Sequence, residues 1–289
     1  MHCGKREAKK MIKQTLDISK PYAHIHYTSY CIDIDFSSLL EEMLILNYMK
    51  EFNQHYGPYL VKNCKKKADF KLKLRGVRKV SLMRAQSERK KSEVDYSVQI
   101  FSIKGSTALV DYHASISHLQ LLFKLIIQKL LIPEQGFFLH TSGVLTHDNR
   151  LILFLGQNNA GKSTTISLIR DYYKPFADDT VLIKKVEKSW LGYQIPVEAD
   201  REIYPFTSTK GYPIEALVFI HKNKLTKCSS LPKDPNTLAQ FLNQVVGGTV
   251  HKNNIQAVLK YFESVNKIFK LDINTTMSGK ELSNILDNN

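Results

Sequence analysis

The stretch that decides the fold reads Leu151-Ile-Leu-Phe-Leu155 followed by Gly156-Gln-Asn-Asn-Ala-Gly161-Lys162-Ser163. Its second half has the Gly-x-x-x-x-Gly-Lys-Ser pattern of a phosphate-binding loop. Because backbone N–H groups at such a turn can surround a polyphosphate, we expect a nucleotide there, with Lys162 meeting the phosphates and Ser163 binding magnesium. The predicted nucleotide-binding residues are Gly156, Gln157, Asn158, Asn159, Ala160, Gly161, Lys162, Ser163 and Thr164.

The residues around the loop have the order that this chemistry needs. An apolar run precedes it and predicts a buried strand, and Ile166, Ile169 and Tyr173 follow at helical spacing. The alternative is a glycine-rich turn that binds nothing. We favour the nucleotide site because a bare turn has no use for a Lys-Ser pair at the start of a helix.

Two adjacent carboxylates, Asp178 and Asp179, precede the apolar run 180–183. This pattern places the acids at the mouth of a strand, near the phosphate loop if the two strands are neighbours in one sheet. One acid can accept a proton from an attacking hydroxyl while the other holds magnesium. A solvated turn is the alternative.

His140 closes the apolar run 137–139 and leads into a predicted hairpin, with Asp148-Asn149 as its turn. On spacing alone, a structural histidine is the more frequent explanation of such a residue than a catalytic one.

Taken together, segments 139–144, 154–164 and 177–179 resemble HPr kinase/phosphorylase and its serine-kinase-like relatives, whose core is similar to that of phosphoenolpyruvate carboxykinase. The resemblance implies an α/β fold with a P-loop core and a strand-rich α+β N-terminal region. It implies ATP and Mg²⁺ as cofactors, Asp178 as the general base, Asp179 as a metal-site carboxylate and His140 as a neighbour that tunes Asp178.

The chain departs from the family pattern at two points. Thr164-Thr165 stands where the best-known bacterial enzymes have an acidic residue after Gly-Lys-Ser. The glycine-rich signature with which those enzymes engage HPr has no counterpart, so we do not expect HPr as the acceptor. Relatives of the HPr branch assemble as rings, and a homo-oligomer is compatible with the resemblance.

Composition indicates a globular protein with an anionic partner. The chain has 289 residues, 43% of them hydrophobic, and a net charge of +14, although a general abundance of lysine and asparagine is an alternative source of that charge. Four scattered cysteines predict neither a disulfide framework nor a zinc site, and favour a cytoplasmic location. The apolar segment 119–132 contains Lys124 and Lys129, so we expect no membrane span.

Three regions are predicted: a basic arm at 1–20, a strand-rich region at 21–115, and the nucleotide-binding domain at 116–289. A basic run at 75–91 is either a solvated loop or a docking surface for an acidic partner. It lacks aromatic residues for base stacking, and we therefore do not expect nucleic acid. The loop 196–212 carries Arg201, which can neutralise charge on a transferred phosphoryl group, although loops carry Arg for solubility more often.

The remaining secondary structure follows from hydrophobic patterning. Predicted strands are 22–27, 30–36, 69–75, 94–103, 107–112, 180–184, 215–220 and 268–273, and predicted helices are 38–52, 117–132, 235–246, 254–264 and one opened by the capping box 278–281.

The leading hypothesis is a magnesium-dependent kinase that transfers the γ-phosphate of ATP to a hydroxyl, preferably serine, of a peptide, protein or small molecule. A nucleotide-dependent binding module without transfer is the second hypothesis. Carboxykinase-like chemistry on a dicarboxylate is the third, and it is weakened because the sequence offers no compact Arg and His set for such an acid.

Overall fold

The computed structural model describes residues 22–28, 30–38, 50, 52–54, 56–61, 67–76, 98–112, 116–131, 136–195, 208–246, 252–274 and 277–288. The chain divides into two compact units that meet in sequence at Ile126 and Ile127. Both units combine strands and helices, so the fold is of the mixed α/β type. The domain limits drawn from the sequence stay a prediction.

The first unit contains a five-stranded sheet with the order β1-β2-β3-β5-β4. Its strands are β1 (Tyr22–Tyr27), β2 (Tyr30–Ser38), β3 (Phe70–Gly76), β4 (Val98–Lys104) and β5 (Thr107–Tyr112). Alternate residues of β1 and β3 are buried, as expected for strands with one face on a core. These bounds agree with the predicted strands within the described residues.

Aromatic rings fill the core of this unit. Phe52 stacks on Tyr56 with ring centroids 4.8 Å apart, and Phe36 meets Phe52 edge to face at 5.2 Å. The expectation about cysteines needs a correction in this unit, because Cys31 forms a disulfide bond. Scattered spacing carries no information on which thiols the fold brings together.

The second unit holds the strands β6 (Gly136–His140), β7 (Ser142–Leu145), β8 (Leu151–Leu155), β9 (Lys174–Ala177), β10 (Thr180–Val186), β11 (Ser189–Gln194), β12 (Tyr212–Lys222), β13 (Lys227–Ser230), β14 (Val245–Val246) and β15 (Ile268–Ile273). Its helices are α2 (Lys162–Ile169), α3 (Pro235–Leu242), α4 (Lys252–Ser264) and α5 (Gly279–Asp287), and α1 (Ile116–Leu131) precedes them and spans the division between the units. Among the helices of the described ranges, none combines the length and apolar character needed to cross a membrane.

The sheet of the second unit follows the order β14-β6-β10-β11-β12-β8-β7-β9, with β15 beside β12. Thr141 alone separates β6 from β7 along the chain, yet β10, β11, β12 and β8 stand between these two strands in the sheet. The sheet must therefore curve back on itself so that β6 and β7 come together at Thr141. This curvature brings the connection between β9 and β10 to the end of β8.

β8 is buried on both faces, as its uninterrupted apolar sequence predicts. Its odd-numbered residues join a core that contains Tyr261 of α4. Its even-numbered residues join a second core that contains Ile166 of α2 and Leu282 of α5. Helices thus pack on both sides of β8, which fixes the start of the following loop.

Several predicted elements differ from the structure. The helix after the loop ends at Ile169, and Tyr173 lies in the turn beyond it. The predicted helix 235–246 ends at Leu242, and Val245–Val246 forms an edge strand on β6 instead. β9 and β13 were not predicted, because each has only four residues. Most of the predicted helix 38–52, of the basic run 75–91 and of the loop 196–212 lies outside the described residues.

Candidate functional site

The loop between β8 and α2 requires glycine at two positions. Gly161 has φ 103°, in the left-handed region that favours glycine. A Cβ atom on Gly156 would lie 2.9 Å from Cβ of Ala160 and 3.2 Å from the carbonyl oxygen of Ile220. The first glycine of the motif therefore lets the loop pass closely over β12, and the last one lets the chain turn into the helix.

The loop leaves the start of α2 open to an anion. Thr165 donates from both its backbone N–H and its hydroxyl to the carbonyl oxygen of Gly161, at 2.8 Å each, which closes the first turn. Within the described residues, no side chain caps Gly161 and no acidic residue lies in the first turn. Backbone N–H groups at such a terminus favour negative charge.

Lys162 folds back over the loop. Its side chain is buried, and Nζ donates to the carbonyl oxygens of Gly156 at 2.7 Å and Gln157 at 3.2 Å. Nζ also lies 3.2 Å from Nε2 of His140. Burial lowers the pKa of Lys162, while the nearby carboxylates of Asp179 and Asp178 act in the opposite direction. The ammonium group is thus held by neutral acceptors that phosphate oxygens can replace.

His140 connects Lys162 to Asp179. Nδ1 of His140 lies 3.0 Å from Oδ1 of Asp179, and the hydroxyl of Thr180 donates to Oδ2 of the same carboxylate at 2.8 Å. Because Lys162 can only donate, Nε2 of His140 accepts and Nδ1 carries the proton towards Asp179. Both oxygens of Asp179 are therefore held in place.

Asp178 contacts the other functional residue of the loop. The hydroxyl of Ser163 donates to Oδ1 of Asp178 at 2.9 Å. Two hydrogen bonds fix the main chain of the two acids. The Ser142 hydroxyl donates to the carbonyl oxygen of Asp178, and the backbone N–H of Thr141 donates to the carbonyl oxygen of Asp179 at 3.0 Å. The acid pair is thereby anchored to the β6–β7 junction.

The structure brings together the loop, Lys162, Ser163, His140, Asp178 and Asp179 in one cluster. The sequence predicted that the strand after the two acids would neighbour β8. That strand, β10, does not neighbour β8; the acids lie near the loop because the sheet curves back at Thr141. His140 contacts Asp179, whereas the sequence expectation paired it with Asp178. Arg201 lies outside the described residues, and its role stays a prediction.

Three residues that contact the acids were not among the predicted site residues: Thr141, Ser142 and Thr180. Each is buried, and each contacts the main chain or the side chain of an acid. The available signal was their position, since each directly follows or precedes a candidate site residue. A hydroxyl side chain has no distinctive pattern of its own, so sequence alone gave no reason to choose them.

The donor set fits magnesium. Ser163 supplies a hydroxyl, and Asp178 and Asp179 supply carboxylates, which are the oxygen donors that hard cations prefer. Gln157, Asn158 and Asn159 are exposed, so the loop is accessible from solvent. Chemically, the cluster can bind a polyphosphate with its metal and move a proton between an oxygen atom and a carboxylate.

No family model and no curated protein match the chain. Among solved structures, one match is the Hpr(Ser) kinase/phosphatase from Coxiella burnetii. It is 14% identical, with a TM-score of 0.31, over 52% of this chain and 88% of that chain. The likeness is weak, and the proposal that follows does not rest on it.

Proposed function

We propose that this chain is an ATP- and Mg²⁺-dependent kinase with a P-loop core of the kind found in HPr-kinase-like proteins, and that it transfers the γ-phosphate to a hydroxyl of a peptide, protein or small molecule, with serine preferred. One observation carries the proposal. Lys162 and Ser163 of the loop lie within hydrogen-bond distance of His140 and Asp178, and Asp179 adjoins His140.

The loop 156–164 binds the nucleotide. Its backbone N–H groups and the start of α2 receive the phosphates, and Lys162 exchanges the carbonyl oxygens of Gly156 and Gln157 for phosphate oxygens. This exchange is favourable because an ammonium group bonds more strongly to a charged oxygen than to a neutral one. Release of Lys162 also frees Nε2 of His140 as an acceptor.

Ser163 and one carboxylate would hold the magnesium ion, which when bound would supply positive charge opposite the charge that develops on the transferred group. The resemblance assigns this carboxylate to Asp179. The hydrogen bond between Ser163 and Asp178 favours the opposite assignment, in which Asp178 lies at the metal and the Asp179–His140 pair is the base.

The transfer itself requires one base. The acceptor oxygen attacks the γ-phosphorus in line, the bond from this phosphorus to the β–γ bridging oxygen breaks, and ADP leaves. The hydroxyl proton passes to the base, Asp178 in the first assignment. Lys162 and Thr180 are buried, so their interactions within the cluster are less screened by solvent than those of exposed groups.

The test is transfer from γ-labelled ATP. Parent protein, Asp178→Asn and Lys162→Ala are each incubated with Mg²⁺, the labelled nucleotide and an extract of the source cells. We expect a labelled product with the parent and at most a trace with the two variants. Saturable binding of MgATP by the parent without any product beyond the Asp178→Asn background would reject the kinase and support the binding module.

A further inference from the structure

A cavity lies in the same unit as the candidate site, at the opposite end of β8. Its volume is about 380 Å³, within the usual range of small-molecule sites. Arg150, which lines the cavity, directly precedes β8, whereas Gly156 of the loop directly follows it. The five residues of β8 span about 16 Å. The cavity is therefore separate from the phosphate loop.

The cavity carries an excess of positive charge. Arg150, Lys188 and Lys267 line it, and Glu215 is the single carboxylate among the described residues that do so. Nε of Arg150 lies 2.6 Å from Oε2 of Glu215, and Nζ of Lys267 lies 3.1 Å from Oε1. Glu215 thus holds the side chains of Arg150 and Lys267 at the cavity, but its single negative charge balances only one of their two positive charges. Lys188 and the remaining guanidinium donors stay available to an anion.

Part of the cavity lining is aromatic and apolar. Trp190 is half-buried and packs edge to face against Tyr261, with ring centroids 5.4 Å apart. Pro213, Ile214 and Val265 also line the cavity. Such a wall suits a flat apolar body, and it holds that body next to the cationic side chains.

One buried polar atom of a lining residue, Oη of Tyr261, has no hydrogen-bond partner in the described part of the chain. Native proteins rarely leave such an atom unsatisfied.

We propose that this cavity binds a small organic anion, with a carboxylate or phosphate group held by Arg150 and Lys188 and a flat apolar body packed on Trp190. The proposal does not depend on the kinase function. It follows from the charge excess, the aromatic wall and a volume that accommodates one or two rings with an acidic group.

Trp190 provides a direct readout because it is the only tryptophan of the chain. The probe is 8-anilinonaphthalene-1-sulfonate, an aromatic anion that accepts excitation energy from tryptophan. We expect saturable one-to-one binding that quenches Trp190 emission as probe emission rises. Affinity should fall as the salt concentration rises, because exposed charges are screened.

Two matched controls separate this site from general hydrophobic adsorption. The first is the neutral probe N-phenyl-1-naphthylamine, which has the same rings without the sulfonate and should bind at least about five-fold more weakly. The second compares Lys188→Gln with Lys280→Gln, an exposed lysine of α5. Lys188→Gln should weaken the sulfonate probe about three- to ten-fold, and Lys280→Gln should not.

Three results would overturn the proposal: no energy transfer from Trp190, equal affinities for the two probes, or equal affinities of parent and Lys188→Gln. Lys188 is exposed at the turn between β10 and β11, so its replacement leaves the core intact. Thermal melting of both lysine variants verifies this.

Discussion

His140 holds the carboxylate of Asp179 from one side, with Nδ1 lying 3.0 Å from Oδ1. The main chain of His140 is itself fixed, because its N–H donates to the carbonyl oxygen of Gln244 at 2.7 Å. The short strand β14, which follows Gln244, pairs with β6 directly behind the histidine. The orientation of Asp179 therefore depends on a chain of contacts that runs from the sheet edge to the loop.

Thr180 completes that arrangement, and its removal should misplace Asp179. In Thr180→Val the side chain keeps its volume but loses the hydrogen bond to Oδ2 of Asp179. Because this carboxylate is proposed to act in catalysis, we expect phosphoryl transfer to fall roughly 10- to 100-fold, with nucleotide affinity nearly unchanged. Transfer is measured with γ-labelled ATP and binding by calorimetry.

The control for this prediction is Thr180→Ser, which retains the hydroxyl and should recover most of the lost turnover. If Thr180 had only a structural role, its replacement would lower the melting temperature, and Thr180→Val and Thr180→Ser would have the same turnover. Equal turnover of the parent and Thr180→Val would contradict a positioning role for Thr180.

The two carboxylates can be assigned by their magnesium dependence. Loss of the base should lower turnover about 10²- to 10⁴-fold at every Mg²⁺ concentration, whereas loss of the metal carboxylate should raise the Mg²⁺ concentration needed for half-maximal rate. Asp178→Asn and Asp179→Asn are therefore compared over a Mg²⁺ titration. The Ser163–Asp178 hydrogen bond favours Asp178 as the metal carboxylate, and the family resemblance favours Asp179.

Ser163→Ala serves as the reference for a metal defect in this titration. One Asp variant should follow its Mg²⁺ profile and the other should not. If both Asp variants turn over like the parent, neither carboxylate participates and the proposed chemistry fails. Lys162→Ala should differ from all three by weakening nucleotide binding as well as transfer, because Lys162 is proposed to meet the phosphates in either assignment.

Gly156 tests whether the loop needs its observed shape. A methyl group there would lie 2.9 Å from Cβ of Ala160, so Gly156→Ala must shift the loop away from Ile220. We expect at least a ten-fold loss of nucleotide affinity, which corresponds to about 1.4 kcal/mol. The control is Gly57→Ala, since a methyl group at Gly57 meets no atom of the described residues within 4 Å. Unchanged affinity in Gly156→Ala would mean that nucleotide does not occupy this loop.

Local sequence signals predicted much of this structure. The loop motif gave the strand, the turn and the start of the helix, because glycine, lysine and serine at fixed spacing have one common structural context. The alternation of apolar residues predicted β1 and β5 with the bounds that the structure shows. The capping pattern at Ser278 correctly placed the start of α5.

The order of the strands in the sheet could not be predicted from local sequence patterns. The acids were expected beside β8 on a neighbouring strand, but β10 pairs with β6 and β11 instead. Long-range pairing depends on the whole packing arrangement, which local sequence patterns do not encode. For the same reason, local patterns contain no indication that His140 contacts Asp179 or that Thr180 donates a hydrogen bond to this carboxylate.

The capping box of α5 makes an acid-sensitive contribution to stability. Backbone N–H of Ser278 donates to Oε2 of Glu281 at 3.0 Å, and the Ser278 hydroxyl donates to the same oxygen at 2.8 Å. The backbone hydrogen bond from Ser278, aided by that hydroxyl, lowers the pKa of Glu281 below its ordinary value of 4.5. A carboxyl whose pKa is lower in the folded state stabilises the fold at pH values above its pKa in the unfolded chain. This stabilisation is lost as the pH falls through its pKa in the folded state.

Glu281→Gln keeps the shape of the capping box but removes this charge. We therefore expect the parent to melt at a higher temperature than Glu281→Gln at pH 7, and the difference to shrink as the pH is lowered past about 4.5. Differential scanning calorimetry from pH 7 to pH 3.5 measures it. The matched control is Glu263→Gln, an exposed glutamate away from a helix N-terminus, which should not reproduce the pattern. A difference that is constant with pH, or that grows in acid, would show that the charge of Glu281 contributes nothing to the stability of this helix start.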